Sequence, residues 1–251
     1  MAKRRGRVLD GVLLLDKPVG LSSNHALQRA KRAMDAQKAG HTGTLDPFAT
    51  GLLVCCMGRA TKISGAMLNA DKSYLATIAF GRETDSGDLT GIIVSEASTE
   101  FEGVSQERLT AVLDSFVGTQ LQIPPMISAL KRDGKPLYEY ARQGIVLERE
   151  PREITIRGIE LLSATPMSAD IHVHCSKGTY IRTLAQDIGR MLGCYAHLSA
   201  LRRTRVGPFA LDTAIELETL QTMESPESML IDMNDLPEGL VPPAKNVVPL
   251  H

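Results

Sequence analysis

The chain has 251 residues, of which 43% are hydrophobic and 23% are charged, and its formal net charge is −1. This composition supports a folded core and excludes disordered, collagen-like and coiled-coil proteins. No apolar stretch approaches the ~20 residues that cross a bilayer, and no long apolar run follows the basic start as in a signal peptide. The four cysteines include no CxxC pair, so they predict neither a disulfide framework nor a zinc site. We expect a soluble, cytoplasmic protein.

The charge is distributed unevenly along the chain. Residues 1–62 hold 11 Lys and Arg against 4 Asp and Glu, whereas residues 213–251 hold 1 against 7. A basic front of this kind indicates a polyanionic partner. The same residues could instead solvate ordinary helix faces, so the charge alone leaves both interpretations open.

Apolar periodicity and turn residues predict the secondary structure. The predicted elements are strand 11–16, a helix from Ser22 or Ser23 to about residue 34, strand 52–57, helix 60–68, strands 74–80 and 92–94, helix 109–116, strands 154–162 and 169–175, helix 179–192, strand 196–205 and a helical stretch after Asp212. Strands outnumber helices and do not alternate with them regularly. The predicted fold class is therefore α+β, with a mixed, largely antiparallel sheet flanked by helices.

Residues 122–150 interrupt this pattern. Two adjacent prolines, Pro124 and Pro125, stop regular structure, and a basic turn with Asp-Gly at its centre follows at 131–135. Asp-Gly between short extended segments is a strong hairpin signal. We expect a projecting, thumb-like loop here.

The densest cluster of polar residues is segment 40–51, which reads GHTGTLDPFATG. Its glycines and proline predict a tightly turned loop between a basic helix and an apolar strand, a place where catalytic groups are often held. Asp46 is the candidate catalytic carboxylate, although an Asp before a proline is also a common turn residue, and local chemistry alone favours the turn. No Gly-Lys-Ser/Thr follows, which argues against a phosphate-binding P-loop.

Two further motifs carry charge. Segment 176–182, SKGTYIR, leaves a strand and opens a helix, where Arg182 could pair with a carboxylate and Tyr180 could stack or donate a hydrogen bond. In the following strand, Arg203 and Arg205 are expected on one face and Arg202 on the other, as a basic stripe. Both motifs could also be plain surface charge.

His172 and His174 share a face of a predicted strand, which is typical of a fragment of a metal site. No Cys or carboxylate stands at a matching spacing elsewhere, so the structural interpretation is favoured and no metal is expected.

Several blocks resemble the tRNA pseudouridine synthase B (TruB) family, whose members look like uridine isomerases of the tRNA TΨC loop. In chain order they read LDKPVGLSS from residue 15, GHTGTLDPFATG from 40, GRATK from 58, KSY from 72, TDSGD from 84, QIPPMISALK from 122, GKPLYEYAR from 134, SKGTYIR from 176, and HLSALRRT from 197 with GPF from 207. They occur in family order over about four-fifths of the chain. The resemblance implies the pseudouridine synthase fold.

The resemblance also implies the family's catalytic roles. Asp46 would be the nucleophile that attacks the target uridine at the sugar C1′ or the base C6, after which the uracil rotates and bonds again through C5. A carboxylate is ionised at neutral pH and can form and release a covalent adduct without a cofactor. Arg182 would pair with Asp46, Tyr74 would stack on the uracil and transfer the proton, and Tyr180 would orient the nucleophile or the base.

The same resemblance implies a set of substrate contacts. Leu201 would form an apolar wall and His41 would lie beside the extruded nucleotide. Lys17 and Lys62 would contact phosphate or support the site, and Asp88 would contact a neighbouring flipped base.

The implied partner is the T-arm stem-loop of tRNA, with uridine 55 flipped out of the loop at a cost of a few kcal/mol. Basic side chains would offset that cost along the RNA backbone, the candidates being Lys131, Arg132, Arg202, Arg203 and Arg205. No metal, organic cofactor or obligate protein partner is expected, and a monomer is the default. Two other functions stay open, namely an RNA-binding or tRNA-folding module and a pseudouridine synthase for another RNA.

The predicted domains are a catalytic domain at 1–212 and an acidic, Pro-rich segment at 213–251. Bacterial family members usually carry a PUA domain at this point, and the 39 residues after Asp212 are too few for it. Either the chain lacks that module or the sequence ends before it.

Overall fold

The computed structural model describes residues 6–238 and residue 240. The basic residues 3–5 and the prolines at 242, 243 and 249 lie outside this part. The chain forms two compact units. Unit 1 comprises residues 1–47, 51–70 and 206–251, and unit 2 comprises residues 48–50 and 71–205.

Helices and short strands are mixed along the whole chain. The strands are β1 (Gly11–Lys17), β2 (Ala39–Thr42), β3 (Thr50–Met57), β4 (Lys72–Phe80), β5 (Arg82–Thr84), β6 (Ile93–Glu96), β7 (Gly118–Gln122), β8 (Lys131–Arg132), β9 (Lys135–Pro136), β10 (Arg152–Thr165), β11 (Ser168–Cys175), β12 (Ala196–Val206), β13 (Phe209–Ala210) and β14 (Ile215–Glu216). The α-helices are α1 (Ser23–Ala33), α2 (Ser64–Asn69), α3 (Gln106–Ser115), α4 (Leu137–Ala141), α5 (Ile181–Met191) and α6 (Leu217–Thr222). Short 3₁₀ helices cover Gly58–Ile63, Leu211–Thr213 and Pro226–Met229. The predicted α+β class is confirmed.

Strand β1 is the centre of unit 1. It pairs in parallel with β14 and antiparallel with β3, and β2 pairs antiparallel with β3. Leu13 and Leu15 lie in one apolar cluster, while Val12 and Leu14 lie in another. Both faces of β1 are therefore buried, which explains the uninterrupted apolar run in its sequence.

Helix α1 begins where the sequence predicts. Ser22 is its N-cap, and the Ser22 hydroxyl accepts a hydrogen bond from the amide of His25. Ala26, Leu27 and Ala30 form its buried face. The buried residues of α1 thus have the spacing expected of an amphipathic helix.

The acidic segment after residue 212 contributes to unit 1. Leu217 and Leu220 of α6 belong to the same apolar cluster as α1, and Arg7 forms an ion pair of 2.8 Å with Glu227. The described residues of unit 1 hold 8 Lys and Arg and 12 Asp and Glu. The basic front and the acidic segment therefore both contribute to this unit. The domain boundary at residue 212 stays a prediction.

Unit 2 is built on a sheet with the strand order β12-β4-β11-β10-β7. Strand β11 pairs antiparallel with both β4 and β10, and β10 pairs antiparallel with β7. Ile171 and Val173 are buried while His172 and His174 are half-buried, so β11 alternates as a strand with one covered face should. Helices α3 and α5 contact this sheet through β10 and β4.

The structure tests three predictions about local elements, one hairpin, one helix and one loop. The predicted hairpin is confirmed, since Asp133 and Gly134 both have positive φ, 51° and 78°, as a type I′ turn requires. The predicted helix at 60–68 begins instead as a 3₁₀ helix at Gly58. The predicted loop at 40–51 is wrong at its start, because residues 39–42 pair with β3 as β2 and only residues 43–49 connect the two strands.

Within the described residues, none of the helices has the length and apolar character needed to cross a membrane.

Candidate active site

In unit 1, the residues on both sides of Asp46 are held by hydrogen bonds. The Ser23 hydroxyl donates to the carbonyl of Leu45 at 3.0 Å and accepts from its amide at 2.7 Å. On the other side, the carbonyl of Pro47 accepts from the Gly20 amide at 2.8 Å. Asp46 itself is half-buried. Its backbone position is therefore fixed from two directions, as a preorganised carboxylate requires.

Lys17 contacts backbone carbonyls on both sides of this loop, before α1 and at Pro47. Its side chain is 0% exposed, and its ammonium donates to the carbonyls of Pro18 at 2.8 Å and Leu21 at 2.7 Å. A third, longer contact of 3.5 Å reaches the carbonyl of Pro47. Of the two roles implied for Lys17, this geometry favours support of the site over contact with phosphate.

The other two site candidates of unit 1 differ in exposure. His41 lies on β2 opposite Cys55 and is half-buried. Lys62 lies in the last turn of the 3₁₀ helix Gly58–Ile63 and is exposed. Lys62 is thus open to a charged partner.

In unit 2, Arg182 is the second residue of α5 and is only 3% exposed. Its guanidinium donates to the carbonyl of Ser86 at 2.6 Å and to that of Ile127 at 2.7 Å, and its Nε lies 3.9 Å from Oδ2 of Asp88. A guanidinium buried with several partners is held in one orientation, because each contact fixes a different N–H direction.

Asp88 belongs to a tight turn at residues 84–88. Its carboxylate accepts hydrogen bonds from the Ser86 hydroxyl at 3.0 Å, the Thr90 hydroxyl at 2.6 Å and the Thr90 amide at 2.9 Å. The residue is 4% exposed. The turn therefore presents a buried carboxylate beside Arg182.

Tyr180, Tyr74 and Leu201 also lie in unit 2. The Gln122 amide group donates to the Tyr180 carbonyl at 3.1 Å and accepts from its amide at 2.8 Å, so one side chain fixes the backbone of Tyr180. Tyr74 lies on β4 opposite Val173, and both Tyr74 and Leu201 are buried. Unit 2 thus brings together Arg182 and Asp88, and places Tyr180 one turn or less from Arg182.

Lys72 precedes Ser73 and Tyr74 on β4 and is buried. Burial, with a smaller contribution from the nearby Arg203 charge, lowers the pKa of Lys72 to about 8. Cys175 lies opposite Lys72 on β11, and burial raises its pKa to about 12. This corner of unit 2 therefore disfavours charge of either sign.

The basic candidates divide by burial. Lys131 and Arg132 lie on the hairpin of the predicted thumb and are exposed, as is Arg205. Arg203 is 1% exposed, so the expected stripe of Arg203 and Arg205 on one face of β12 is wrong. The buried positions in β12 are 196, 198, 201, 203 and 206, and the step of three residues after 198 and after 203 shows that the strand does not keep a regular period of two.

His174 does not contribute to a metal cluster. Its Nδ1 lies 3.0 Å from the Ser73 hydroxyl, and within the described part of the chain no group of three or more His, Cys, Asp or Glu side chains could hold a metal ion.

Family models cover most of the chain. The N-terminal domain of the TruB family of pseudouridylate synthases matches residues 31–181, and the C-terminal domain of tRNA pseudouridylate synthase B matches residues 182–240. The chain belongs to the TruB family. It is therefore an enzyme of the pseudouridine synthase type, as the sequence predicts.

Individual relatives agree with this assignment. The chain is similar to the tRNA pseudouridine synthase B of Bordetella pertussis, with 73% identity over 96% of this chain and 99% of the relative. It is 56% identical to that of Chromobacterium violaceum over 90% of this chain and 74% of the relative. A chain in a solved Cbf5–Nop10–Gar1 complex is 30% identical with a TM-score of 0.71, over 91% of this chain and 61% of that one. The chain thus spans about three-fifths of that solved protein. The predicted pseudouridine synthase fold is confirmed.

Some residues that shape this TruB site were not predicted from the sequence. Ser23 is hydrogen-bonded to the backbone of Leu45, 22 residues further along the chain, and Gln122 is hydrogen-bonded to the backbone of Tyr180, 58 residues further along. Both stand inside the blocks that resemble the family, and that position is the only signal the sequence offers for them.

Proposed function

We propose that this TruB family member converts uridine 55 in the TΨC loop of tRNA into pseudouridine. The substrate class follows from relatives that are named tRNA pseudouridine synthase B and match nearly the full length of the chain. The position in the loop follows from the family resemblance of the sequence blocks.

The single observation that supports Asp46 as the nucleophile is that hydrogen bonds hold the backbone of both its neighbours, Leu45 and Pro47. A turn residue needs only its own Asx hydrogen bond. Here a buried Ser23 hydroxyl and the Gly20 amide hold Leu45 and Pro47, and Lys17 adds a contact to Pro47. This arrangement limits the movement of a carboxylate that must meet one carbon atom of the substrate. In the proposal Asp46 attacks C1′ or C6, and the uracil rebonds through C5 after rotation.

The family resemblance assigns the remaining catalytic roles of the proposal. Arg182 keeps the nucleophile ionised, a role that suits a buried guanidinium already fixed by backbone carbonyls. Tyr74 stacks on the displaced uracil and transfers the proton, Tyr180 orients the reacting groups, and Leu201 forms the apolar wall. Arg182, Tyr74 and Leu201 are buried, which suits a reaction whose intermediate must not be hydrolysed.

Recognition of the RNA in this proposal uses a splayed loop. The target base is flipped out, His41 lies beside it, and exposed Lys62, Lys131 and Arg132 contact phosphates. Asp88 is buried within its own turn, so we assign it first to the orientation of Arg182 and only then to a neighbouring base.

The experiment that tests the proposal replaces Asp46 by Asn. Pseudouridine formation in a T-arm stem-loop RNA is measured after nuclease digestion and chromatography, and RNA binding is measured separately. We expect Asp46→Asn to lose turnover and keep its RNA affinity. The control is Asp35→Asn, an exposed aspartate of the same unit with φ of 48°, a conformation that Asn adopts readily. Turnover in Asp46→Asn at the rate of Asp35→Asn would exclude the nucleophile.

The same RNA assay addresses the alternatives. A tRNA-folding module would keep its full effect on tRNA structure in Asp46→Asn, and mapping of pseudouridine in RNA from cells that lack the protein would identify any other RNA substrate.

A further inference from the structure

Helix α5 contacts the turn at 84–88 and the preceding residue, Glu83, through three residues spaced four apart. Residues 182, 186 and 190 lie on one face of the helix, as this spacing requires. Arg182 donates to the carbonyl of Ser86, and the Gln186 amide donates to the carbonyl of Thr84 at 2.9 Å. Each successive turn of α5 therefore binds a residue nearer the start of the β5 strand.

The third contact is a two-point ion pair. Arg190 donates through Nε to Oε2 of Glu83 at 2.9 Å and through a terminal nitrogen to Oε1 at 2.5 Å. The Glu83 side chain is buried, whereas that of Arg190 is about half exposed. A fork of this kind fixes direction as well as distance, because both carboxylate oxygens are engaged.

The turn also approaches the helix closely. A Cβ on Gly87 would lie 3.1 Å from Cβ of Arg182 and 3.2 Å from the side-chain amide carbon of Gln186, and Gly87 has a φ of 75°. Glycine therefore permits a contact in which the Arg182 and Gln186 side chains pack directly on the turn.

We propose that Glu83, Gln186 and Arg190 are positioning residues of the pseudouridine synthase reaction, holding the turn at 84–88 so that Arg182 and Asp88 keep their orientation. None of the three is assigned to contact the substrate. The inference rests on the proposed function, which makes Arg182 a catalytic residue. The Asp88 carboxylate and the Ser86 carbonyl, both on this turn, are two of the groups that Arg182 faces, so a shift of the turn moves its partners.

The test uses two variants that keep side-chain size and remove one link each. Gln186→Leu removes the hydrogen-bond donor to the Thr84 carbonyl. Glu83→Gln removes the negative charge of the ion pair with Arg190. Single-turnover rate constants and dissociation constants are measured with the T-arm stem-loop RNA, well below the unfolding midpoint of each variant. We expect each rate constant to fall by about 10-fold or more, since small misplacement of a catalytic group is costly, with RNA affinity unchanged.

A matched control lies on the same hairpin. Arg82 forms an exposed ion pair of 2.8 Å with Glu96 and is the immediate neighbour of Glu83. Arg82→Gln therefore removes a charge at the same place without touching α5, and it should keep the wild-type rate. In addition, Arg190→Gln is measured alone and together with Glu83→Gln. The double variant should be no slower than the slower of these two single variants, because both changes break the same ion pair.

The inference is overturned if both Gln186→Leu and Glu83→Gln react as fast as Arg82→Gln, or if their loss appears only in RNA affinity. Asp46→Asn in the same assay separates this failure from failure of the proposed function. If Asp46→Asn is inactive while the two positioning variants react normally, only the positioning role is lost. If Asp46→Asn reacts normally, the proposed function itself is wrong.

Discussion

Ser23 and Leu45 exchange two hydrogen bonds, in which one hydroxyl donates to the carbonyl of Leu45 and accepts from its amide. The contact joins the first turn of α1 to the residue before Asp46. Ser23 is 1% exposed, so solvent does not compete for these two hydrogen bonds. The start of a helix and the site loop are therefore linked through a single oxygen atom.

This link leads to the first prediction. Ser23→Ala leaves a buried amide and carbonyl without their partner, which costs about 1–3 kcal/mol of unfolding free energy. We expect the rate of pseudouridine formation to fall as well, since Leu45 then holds Asp46 less firmly. Ser22→Ala is the control, because it removes the N-cap of the same helix at a cost of about 1 kcal/mol, and the Ser22 hydroxyl accepts from His25 within that helix. Urea unfolding and single-turnover kinetics on both variants check the prediction, and equal rates in the two would contradict it.

The second prediction concerns the pH dependence of stability. Lys72 has a pKa of about 8 in the folded chain against 10.5 when unfolded, so between these values the unfolded state binds more protons. The Lys72 contribution to the free energy of unfolding therefore rises with pH from about 8, by at most about 1.4 kcal/mol per pH unit. Burial of Cys175 and Cys56 acts in the opposite sense above the ordinary thiol pKa of 9.0, because their pKa values are raised to about 12 and 11.

Lys72→Met isolates the lysine contribution. Urea unfolding of wild type and variant at several pH values between 8 and 10 gives the difference in stability, in which contributions shared by the two proteins cancel. We expect Lys72→Met to be the more stable protein at pH 7 and the difference to shrink as pH rises. A difference that does not change with pH would show that Lys72 is not desolvated.

The third prediction concerns Gly58, at the start of the 3₁₀ helix. A Cβ there would lie 2.2 Å from a carboxylate oxygen of Asp10 and 2.3 Å from the carbonyl of Leu9, and φ is 52°. Because Asp10 is itself fixed by two hydrogen bonds to Arg59, the backbone must shift. We expect Gly58→Ala to lower the free energy of unfolding by more than about 2 kcal/mol. Gly134→Ala shares the positive φ but meets open space, so it should cost about 1 kcal/mol. Equal losses in the two variants would contradict the steric argument.

Local patterns in the sequence predicted those features that depend on a few adjacent residues. Ser22 marks the start of α1, and Asp133-Gly134 forms the expected hairpin turn, because caps and tight turns depend on a few adjacent residues. The residues that hold the site could not be found in this way. Gln186 and Arg190 reach Thr84 and Glu83 across 102 and 107 residues, a distance at which no local pattern reports a contact.

The placement of charged side chains at the surface also could not be predicted from the sequence alone. The split into a basic front and an acidic segment favours a basic surface, yet both segments contribute residues to unit 1. The two-residue period of a strand predicts Arg203 and Arg205 on one basic face, but Arg203 is buried, and Arg205 is exposed because β12 departs from that period after residue 203. Counting charges along a sequence therefore predicts total charge better than it predicts a binding surface.

The last prediction follows from this difference in burial. Arg132 is exposed on the β8–β9 hairpin of the predicted thumb, so Arg132→Gln should weaken binding of the T-arm RNA and reduce the slope of log affinity against log salt by about 1, with stability unchanged. Arg203→Gln should instead lower the unfolding midpoint and leave that slope as it is, because a buried guanidinium releases no counterion when RNA binds. Binding titrations at four salt concentrations, with thermal unfolding of the same samples, separate the two cases. A reduced salt slope in Arg203→Gln would place that side chain on the RNA surface after all, and an unchanged slope in Arg132→Gln would remove the thumb hairpin from the binding surface.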